Sequence, residues 1–461
     1  MIEKELQLHL LKKALSRGGD YADIFIEARN MVSLVIEDSR LVKVISGTDA
    51  GAGIRLLLKG KTSYAYSNDI SANILLQTAS DASRMASDIP AKNVTSLAVR
   101  HPSVQFSIRS MPESIPLREK IALVRNAEKI ARSIDQRIRQ VTVIYRDSVQ
   151  DVQTATSDGF IADDKRVYTL LMVQVIASAN GIVQTGYEAV GGFAGFELFE
   201  KENIDELSSK AAQRAIRMLN ARKAPAGRMP VVISSLAGGT MIHEAIGHGL
   251  EADLAQQGLS VFSGKLGQRV ASELVTVIDD ATLPGRRGSF RFDDEGTPSQ
   301  RTVLVEKGIL KSFMYDKLTA MKDNTQSTGN GRRESYESRP IPRMTNTFIA
   351  PATDAPEDII RSVDHGLLVV KMGGGQVNTV TGDFVFDVQE GYLIKGGRKD
   401  ELVRGATLAG NGPEVLKAID KVGSDLGFSI GTCGKDSQGV PVTDAMPTIR
   451  IPEIIVGGVH E

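Results

Sequence analysis

The sequence predicts an α+β protein, with two domains rich in antiparallel sheet and only a few helices. Short apolar segments recur about every ten residues and are separated by turn residues, which is typical of antiparallel strands. Helical patterns are few and do not alternate regularly with these strands, so βαβ units are not expected. The length of 461 residues and the 41% hydrophobic content allow two domains, or three.

The N-terminal half begins with an amphipathic helix at residues 4–17, in which Leu8, Leu11 and Leu15 share one stripe. Four apolar segments then predict an antiparallel meander: YADIFIEA, MVSLVIED, RLVKVIS and GIRLLLKG. Further helices are predicted near residues 69–86, 117–133 and 203–221. Before the last of these we expect strands from about 138 to 190, with hairpin turns at residues 157–159 and 179–181.

A linker-like segment, RKAPAGRMP at residues 222–230, separates the two halves, because it carries two prolines and a glycine. We therefore place an N-terminal α+β domain at residues 1–222 and a C-terminal domain at 223–461. The second domain opens with a strand, PVVIS, and a helix over about 237–247 that Ser234 or Ser235 could cap.

Two hairpins are predicted further on, around Lys307-Gly308 and Glu390-Gly391. Between these strand-forming regions lie long loops rich in glycine and arginine, at residues 327–343 and 371–383. Long structureless loops inside a compact domain are usually functional or mobile, and we expect the same of these two.

Composition excludes several classes of protein. The 55 basic and 56 acidic residues leave a net charge of −1, which argues against a nucleic-acid or acidic-membrane partner. No run of about 18 apolar residues predicts a membrane span. The first residues, MIEKELQLHLLKKAL, lack the apolar core of a signal peptide, and a single cysteine allows no internal disulfide. Cytoplasmic residence is the expectation.

The stretch MIHEAIGHGLEAD, residues 241–253, places His243 and His248 five positions apart with Glu244 beside the first. On a regular α-helix such a pair points about 140° apart and cannot hold one ion. A π-bulge would absorb the extra residue, or the helix could end at Gly247 so that His248 turns back. We therefore predict an irregular helix there, with metal binding favoured over two unrelated helix histidines.

Glu244 stands where a general base for metal-dependent hydrolysis would be needed. A catalytic zinc usually has three protein ligands, so one is missing, and Glu251, Asp253, His365 and Cys433 are the candidates. The two carboxylates more often orient histidines or face solvent, and the histidine opens a strand. Cys433 lies in a glycine-flanked segment, and its thiolate suits zinc.

Four segments closely resemble motifs of the TldD/PmbA family, and both their order and their residues match its TldD branch. They are HEAIGHGLEAD, then FSGKLGQRVASELVTVIDDATLPGRRGSFRFDDEGTPSQRTVLVEKGILKSFMYD, then RRESYESRPIPRMTNTFI, and finally TCGKDSQGVPV. The resemblance covers nearly the whole chain and is strongest between about 230 and 443. The family also carries the label "modulator of DNA gyrase".

The resemblance implies a barrel-like C-terminal domain and a Zn²⁺ ion held by His243, His248 and Cys433. Glu244 matches the family's catalytic glutamate. PmbA-type partner subunits lack the His-Glu motif, so the resemblance is to the catalytic subunit. It also implies a dimer, formed with a second copy of the chain or with a PmbA-like subunit.

A zinc-dependent peptidase is therefore the leading hypothesis for function. We expect it to hydrolyse unfolded peptides, bound as an added strand at a sheet edge with weak side-chain preference. Arg332, Arg333 and Tyr336 are considered as oxyanion donors, although a solvated basic loop is the more ordinary interpretation. The alternatives are a regulatory protein acting on DNA topology and a scaffold with a vestigial metal site.

Overall fold

The computed structural model of the chain describes residues 1–86 and 93–458. In those residues the strands form four sheets, of seven, six, two and eight strands. Most neighbouring strands are antiparallel, so the predicted α+β class with antiparallel sheets is confirmed. No helix in the described part of the chain is long and apolar enough to cross a membrane.

The first sheet contains the described strands that precede residue 194, in the order β3-β2-β1-β5-β6, with β4 and β7 both pairing with β6. Its strands are β1 Tyr21–Glu37, β2 Arg40–Leu58, β3 Lys61–Ser67, β4 Ala98–Val99, β5 Ile138–Thr156, β6 Phe160–Ala179 and β7 Ile182–Phe193. The predicted hairpin turns at 157–159 and 179–181 are confirmed, with left-handed φ angles at Gly159, Asn180 and Gly181.

The predicted meander of four short strands is wrong, because β1 and β2 are two long strands of 17 and 19 residues. Arg29 and Asn30 read as a break in the sequence, but β1 continues through them. It does so because β2 pairs on one side and β5 on the other, with Asn30 opposite both Thr48 and Val149. Backbone pairing on both edges thus overrides the local polar signal.

Helices cover the two ends of these long strands. At one end α1 and α2 pack on Ile24 and Ile54, and at the other α3 and α5 pack on Val143 and Val173. The helices predicted in this half are confirmed, and their observed bounds are α1 Lys4–Ala14, α2 Ala72–Ser83, α3 Leu117–Ser133, α4 Leu198–Lys201 and α5 Ile204–Leu219.

A closed barrel lies in the C-terminal half, as the resemblance implied. Its strands follow the order β16-β9-β23-β19-β17, and β17 pairs back with β16 to close the ring. The eight-stranded sheet comprises β8 Arg222–Lys223, β9 Gly227–Ile233, β16 His365–Val377, β17 Asp383–Lys395, β18 Arg398–Arg404, β19 Thr407–Asn411, β20 Lys421–Val422 and β23 Ile449–Gly457. The domain boundary at 222/223 stays a prediction.

The hairpin predicted around Glu390-Gly391 is wrong, since β17 runs through both residues. Its first part, 383–387, pairs with β19, and its last part, from Gly391, pairs with β18. The strand therefore changes neighbour where a turn was expected. The turn lies instead at Gly396-Gly397, where both φ angles are positive.

The six-stranded sheet has the order β12-β11-β10-β15-β22-β21, which makes β21 an edge strand. Its members are β10 Val277–Asp280, β11 Arg301–Glu306, β12 Ile309–Leu310, β15 Asn346–Ile349, β21 Gly427–Lys435 and β22 Gln438–Met446, and the small sheet pairs β13 Gly331–Arg332 with β14 Ile341–Pro342. The predicted hairpin at Lys307-Gly308 is confirmed. The remaining helices are α6 Thr240–Ile242, α7 Ala252–Gln256, α8 Lys317–Lys322, α9 Pro356–Arg361 and α10 Gly412–Ala418.

The two predicted loops differ from expectation. Residues 371–377 belong to β16, so only the second half of the 371–383 segment is a turn. Within 327–343, Arg332, Arg333 and Tyr336 are buried rather than solvated. The Arg333 guanidinium lies 4.3 Å from the ring centroid of Phe25 in β1, so this segment joins the first sheet to the C-terminal half.

Candidate metal centre

The His-Glu segment has an irregular helical backbone, as its spacing predicted. The short helix α6 passes into a π-helical turn at His243–Gly247 and then a 3₁₀ turn at His248–Leu250. The wider turn absorbs the extra residue, so the two imidazole centroids lie only 4.9 Å apart, at 87° to one another. Of the two backbones considered from the sequence, the bulge is the one observed.

The start of this helix differs from the prediction. Ser234 accepts a hydrogen bond from the backbone of Leu236 and caps a 3₁₀ turn at Ser235–Ala237, not the helix that carries His243. Gly238 has a φ of +81° and ends that turn, so α6 begins only at Thr240. The expected helix over 237–247 is therefore three short pieces.

Gly247 serves close packing, not an unusual dihedral angle. Its φ is −55°, which any residue adopts. A Cβ atom there would lie 2.2 Å from the sulfur of Met344, a contact that the core cannot accommodate without moving. Glycine thus lets the bulged turn lie against the core.

Cys433 reaches the two histidines from β21, 185 residues further along the chain than His248. It is 2% exposed, and its Sγ lies 3.6 Å from Nε2 of His248. One ligand atom from each of His243, His248 and Cys433 lies within 4.8 Å of the other two. Ligands of a tetrahedral zinc, at about 2.0–2.1 Å for nitrogen and 2.3 Å for sulfur, would stand about 3.3 Å apart for two nitrogens and about 3.6 Å for nitrogen and sulfur, so this donor set fits zinc.

Two carboxylates hold the imidazole rings. Asp444 lies 2.8 Å from Nδ1 of His243, and Glu251 lies 3.0 Å from Nδ1 of His248. With Nδ1 occupied, each ring turns its Nε2 to the common point, the arrangement by which neighbouring carboxylates orient metal ligands. Sequence reasoning anticipated Glu251 as an orienting residue but missed Asp444, whose only local signal is an acid at a buried position of β22.

The other candidate ligands lie elsewhere. The Lys435 ammonium binds Glu251 at 3.1 Å and Asp253 at 2.7 Å. Burial opposes ionisation of Glu251, but Lys435 and His248 lower the pKa of its carboxyl to about 2. His365 opens β16 as expected, is exposed and pairs with Asp364. Of the four candidates, the structure brings only Cys433 into the described His/Cys cluster.

In this cluster the imidazole rings have higher pKa values than the thiol and therefore keep their protons to higher pH. Burial raises the pKa of the Cys433 thiol, but hydrogen bonds from His243 and His248 outweigh it and lower the pKa to about 6. Burial lowers the pKa of His248, but the charge of Glu251 and contact with Cys433 raise it to about 10. The cysteine is therefore present as a thiolate at neutral pH, the form that binds metals.

Two cavities meet at Glu244. The larger, of about 990 Å³, is also lined by His243 and Asp444, and the smaller, of about 420 Å³, by His248 and Lys435. The strands β16 and β21 follow both cavities, with residues 370–374 and 427–432 on the larger and 375–377 and 434–435 on the smaller. We refer to the two cavities together, which share Glu244 and are both lined by these two strands, as the groove. Arg332, Arg333 and Tyr336 are not among the described residues that line either cavity.

Comparison with known proteins covers the chain almost end to end. Three family models match, described as PmbA/TldA metallopeptidase domain 1 at residues 22–86, central domain at 111–219 and C-terminal domain at 226–458. A Haemophilus influenzae protein named "Metalloprotease TldD homolog" is 38% identical over 96% of this chain and 94% of its own. A Methanothermobacter thermautotrophicus protein named "Metalloprotease" is 36% identical over 95% and 96%.

Solved structures share the fold at low identity. A Thermotoga maritima protein, whose description includes the words "modulator of a DNA gyrase", has a TM-score of 0.81 at 22% identity and covers 98% of this chain and 99% of its own. TldE from Thermococcus kodakarensis has a TM-score of 0.79 at 19% identity, covering 98% and 100%.

Proposed function

The chain belongs to the TldD/PmbA metallopeptidase family, and from that premise we propose that it is a zinc-dependent peptidase that hydrolyses unfolded peptides. The observation that carries the proposal is the convergence of His243, His248 and Cys433 within 4.8 Å of one another, next to Glu244, which lines both cavities. Two imidazoles and one thiolate suit the borderline softness of Zn²⁺ and leave a fourth position for substrate.

When bound, zinc supplies a Lewis acid that polarises the scissile carbonyl and makes a water molecule more nucleophilic. The carboxylate of Glu244 accepts a proton from the attacking water and delivers it to the nitrogen of the leaving amine. Asp444 and Glu251 would accept hydrogen bonds from Nδ1 of His243 and His248, so that each Nε2 would face the metal once it had lost its own proton.

The groove suits an extended peptide. Among the described residues, β21 pairs only with β22, and β16 beyond Val369 pairs only with β17, so each strand has an open edge. An unfolded peptide can add to such an edge through backbone hydrogen bonds, whereas a folded protein offers no free strand of this kind. Because the groove continues on both sides of Glu244, we propose cleavage at interior peptide bonds.

Metal analysis and peptide turnover, measured together for the unmodified chain and for Glu244→Gln, test the proposal. We expect about one zinc per chain in both proteins, and hydrolysis only by the unmodified one, since Glu244 moves protons and does not bind the metal. Hydrolysis retained by Glu244→Gln would remove this residue from the mechanism. Zinc without hydrolysis in the unmodified chain would favour the regulatory or scaffold alternative.

Substrate state is tested by offering one small protein both folded and unfolded. Efficient cleavage of the compact form would contradict binding as an added strand.

We also propose a dimer, with a second copy or a PmbA-like subunit, and the shared fold of a TldE protein supports the second arrangement. Sedimentation of the chain alone and mixed with such a subunit separates the two. Cytoplasmic residence stays a prediction from the sequence.

A further inference from the structure

Arg286 projects into the larger cavity from the loop that follows β10. Its guanidinium carbon lies 3.5 Å from the ring centroid of Phe428 in β21, which holds the planar group flat against an aromatic face. Both residues line the 990 Å³ cavity together with His243 and Glu244. Arg286 is only partly exposed, so it stands on a wall that substrate would contact.

The other basic side chains of this cavity already have partners. Arg214 binds Glu188 at 2.5 Å and Glu390 at 2.7 Å, Lys371 binds Glu188 at 3.3 Å, and Lys210 binds Glu206 at 2.7 Å. Within the described parts of the chain, no carboxylate lies within 4.0 Å of the Arg286 guanidinium, and its side chain donates no hydrogen bond.

A half-buried guanidinium without a counter-ion is a ready site for an anion. Burial lowers the pKa of Arg286, and the Glu202 carboxylate, which is too distant for an ion pair, counteracts this only in part. Arginine presents paired N–H groups that match the two oxygens of a carboxylate, and such bidentate pairs are among the stronger hydrogen bonds. Because the guanidinium group of Arg286 stacks on Phe428, its plane is already oriented before a carboxylate binds.

We propose that Arg286 forms a carboxylate subsite, so that the cavity selects peptides carrying a carboxylate on one side of the scissile bond. The group can be an aspartate or glutamate side chain or a free C-terminus. This inference rests on the proposed peptidase function, because it names what the same cavity recognises. It replaces the expectation of weak side-chain preference with a preference at one subsite.

The preference is confined to one side of the cleaved bond. Arg286 lines the larger cavity and not the smaller one, whereas Glu244 lines both. A carboxylate placed along the peptide should therefore strengthen binding at positions on one side of the scissile bond and have no effect on the other. Exposed Leu236 and half-buried Ile430 in the same cavity provide apolar contact for neighbouring side chains.

Fluorescein-labelled octapeptides of alanine and glycine provide the probe. Each carries one glutamate at a chosen position, and its matched peptide carries glutamine there. Both series are made with amidated and with free C-termini, which separates side-chain from terminal carboxylates. Binding is measured by fluorescence anisotropy on the full-length Glu244→Gln protein, which should not hydrolyse the peptide. Cleavage is measured on proteins that keep Glu244.

We expect glutamate, or the free terminus, to bind at least about tenfold more tightly than its neutral match. Arg286→Met should abolish the difference, Arg286→Lys should keep part of it, and Arg286→Glu should reverse it, so that glutamine peptides bind more tightly than glutamate peptides. Lys210→Met is the matched control, since that cation lies on the same cavity but is paired, and it should leave the preference unchanged. Thermal melting of each variant checks that it folds.

Equal binding of charged and neutral peptides by the unsubstituted site would overturn the proposal, and so would a preference that survives Arg286→Met. A uniform fall in kcat for all peptides in Arg286→Met, without a change in selectivity, would place the side chain at the scissile carbonyl instead. If glutamate peptides bind preferentially but nothing is cleaved, the subsite stands and the peptidase function falls. If peptides are cleaved without any preference, the peptidase function stands and the subsite falls.

Discussion

Replacing Cys433 by alanine should remove most of the zinc affinity while leaving the fold intact. The sulfur lies 3.6 Å from Nε2 of His248 and is one of three described donors at the centre. Structural zinc sites with four ligands bind with about 10–16 kcal/mol, so one ligand accounts for roughly 3 kcal/mol, or about a hundredfold in affinity. Deleting one buried sulfur atom should lower the free energy of unfolding by only about 1 kcal/mol.

Competition with a chromophoric chelator of known affinity measures the zinc dissociation constant, and denaturant unfolding of the metal-free proteins measures stability. Val440→Ala is a matched control, because Val440 is buried and stands opposite Cys433 in the β21–β22 register. That variant should be destabilised at least as much as Cys433→Ala, yet should bind zinc as the unmodified chain does.

Zinc affinity unchanged in Cys433→Ala would refute the assignment of the cysteine as a ligand. The alternatives would then be Glu251, Asp253 or His365, of which the first two already bind Lys435 and the third is exposed and paired with Asp364. Equal loss of zinc in both variants would refute the reasoning in another way, because it would show that the strand and not the sulfur determines affinity.

Other predictions concern the residues around the proposed metal ligands and the groove. Asp444→Asn should weaken zinc binding by about ten- to a hundredfold in the same chelator assay, since it holds His243 by its Nδ1, and no change would exclude that role. Zinc affinity should rise with pH between about 6 and 10, because binding requires the Cys433 thiolate, whose pKa is about 6, and neutral His248, whose pKa is about 10. Calorimetry in buffers of different ionisation enthalpy should therefore detect proton release, and its absence above pH 7 would contradict the protonation of His248 in the metal-free protein. Gly374→Val should raise KM for peptides without lowering the melting temperature, because a Cβ there meets nothing within 4 Å and points into open space beside the cavity. A fall in melting temperature with unchanged KM would show that Gly374 serves the fold and not the groove.

Local rules explain what could be read directly from the chain. The spacing of His243 and His248 conflicts with a regular helix, and the structure resolves the conflict with the π-helical turn. Hairpins at residues 157–159, 179–181 and 307–308 follow from residues that accept left-handed dihedral angles. Such features depend on a few neighbouring residues, so the sequence by itself determines them.

Strand lengths and buried loops did not follow from local rules. The sequence predicts that a strand ends at Arg29-Asn30 and another at Glu390-Gly391. Each of these pairs instead lies inside a long strand that is hydrogen-bonded to other strands on both sides. Arg332 and Arg333 read as solvated charges, but the backbone carbonyls of Met344 and Asp294 accept hydrogen bonds from their guanidinium groups in the interior. Burial of a charge is possible only where the fold supplies partners, and the sequence does not reveal those partners.

The sequence by itself determined the residue types of the candidate metal centre, the irregular helix that carries two of them, and the antiparallel class of the fold. Only the tertiary structure decided which third residue joins the histidines, because β21 and β22 bring Cys433 and Asp444 to the helix from 185 and 201 residues away. It also decided that Lys435 engages Glu251 and Asp253, and that Arg286 faces the cavity with no ion-pair partner among the described residues. Contacts of this kind arise from strand pairing between remote segments, which no local pattern of side chains specifies.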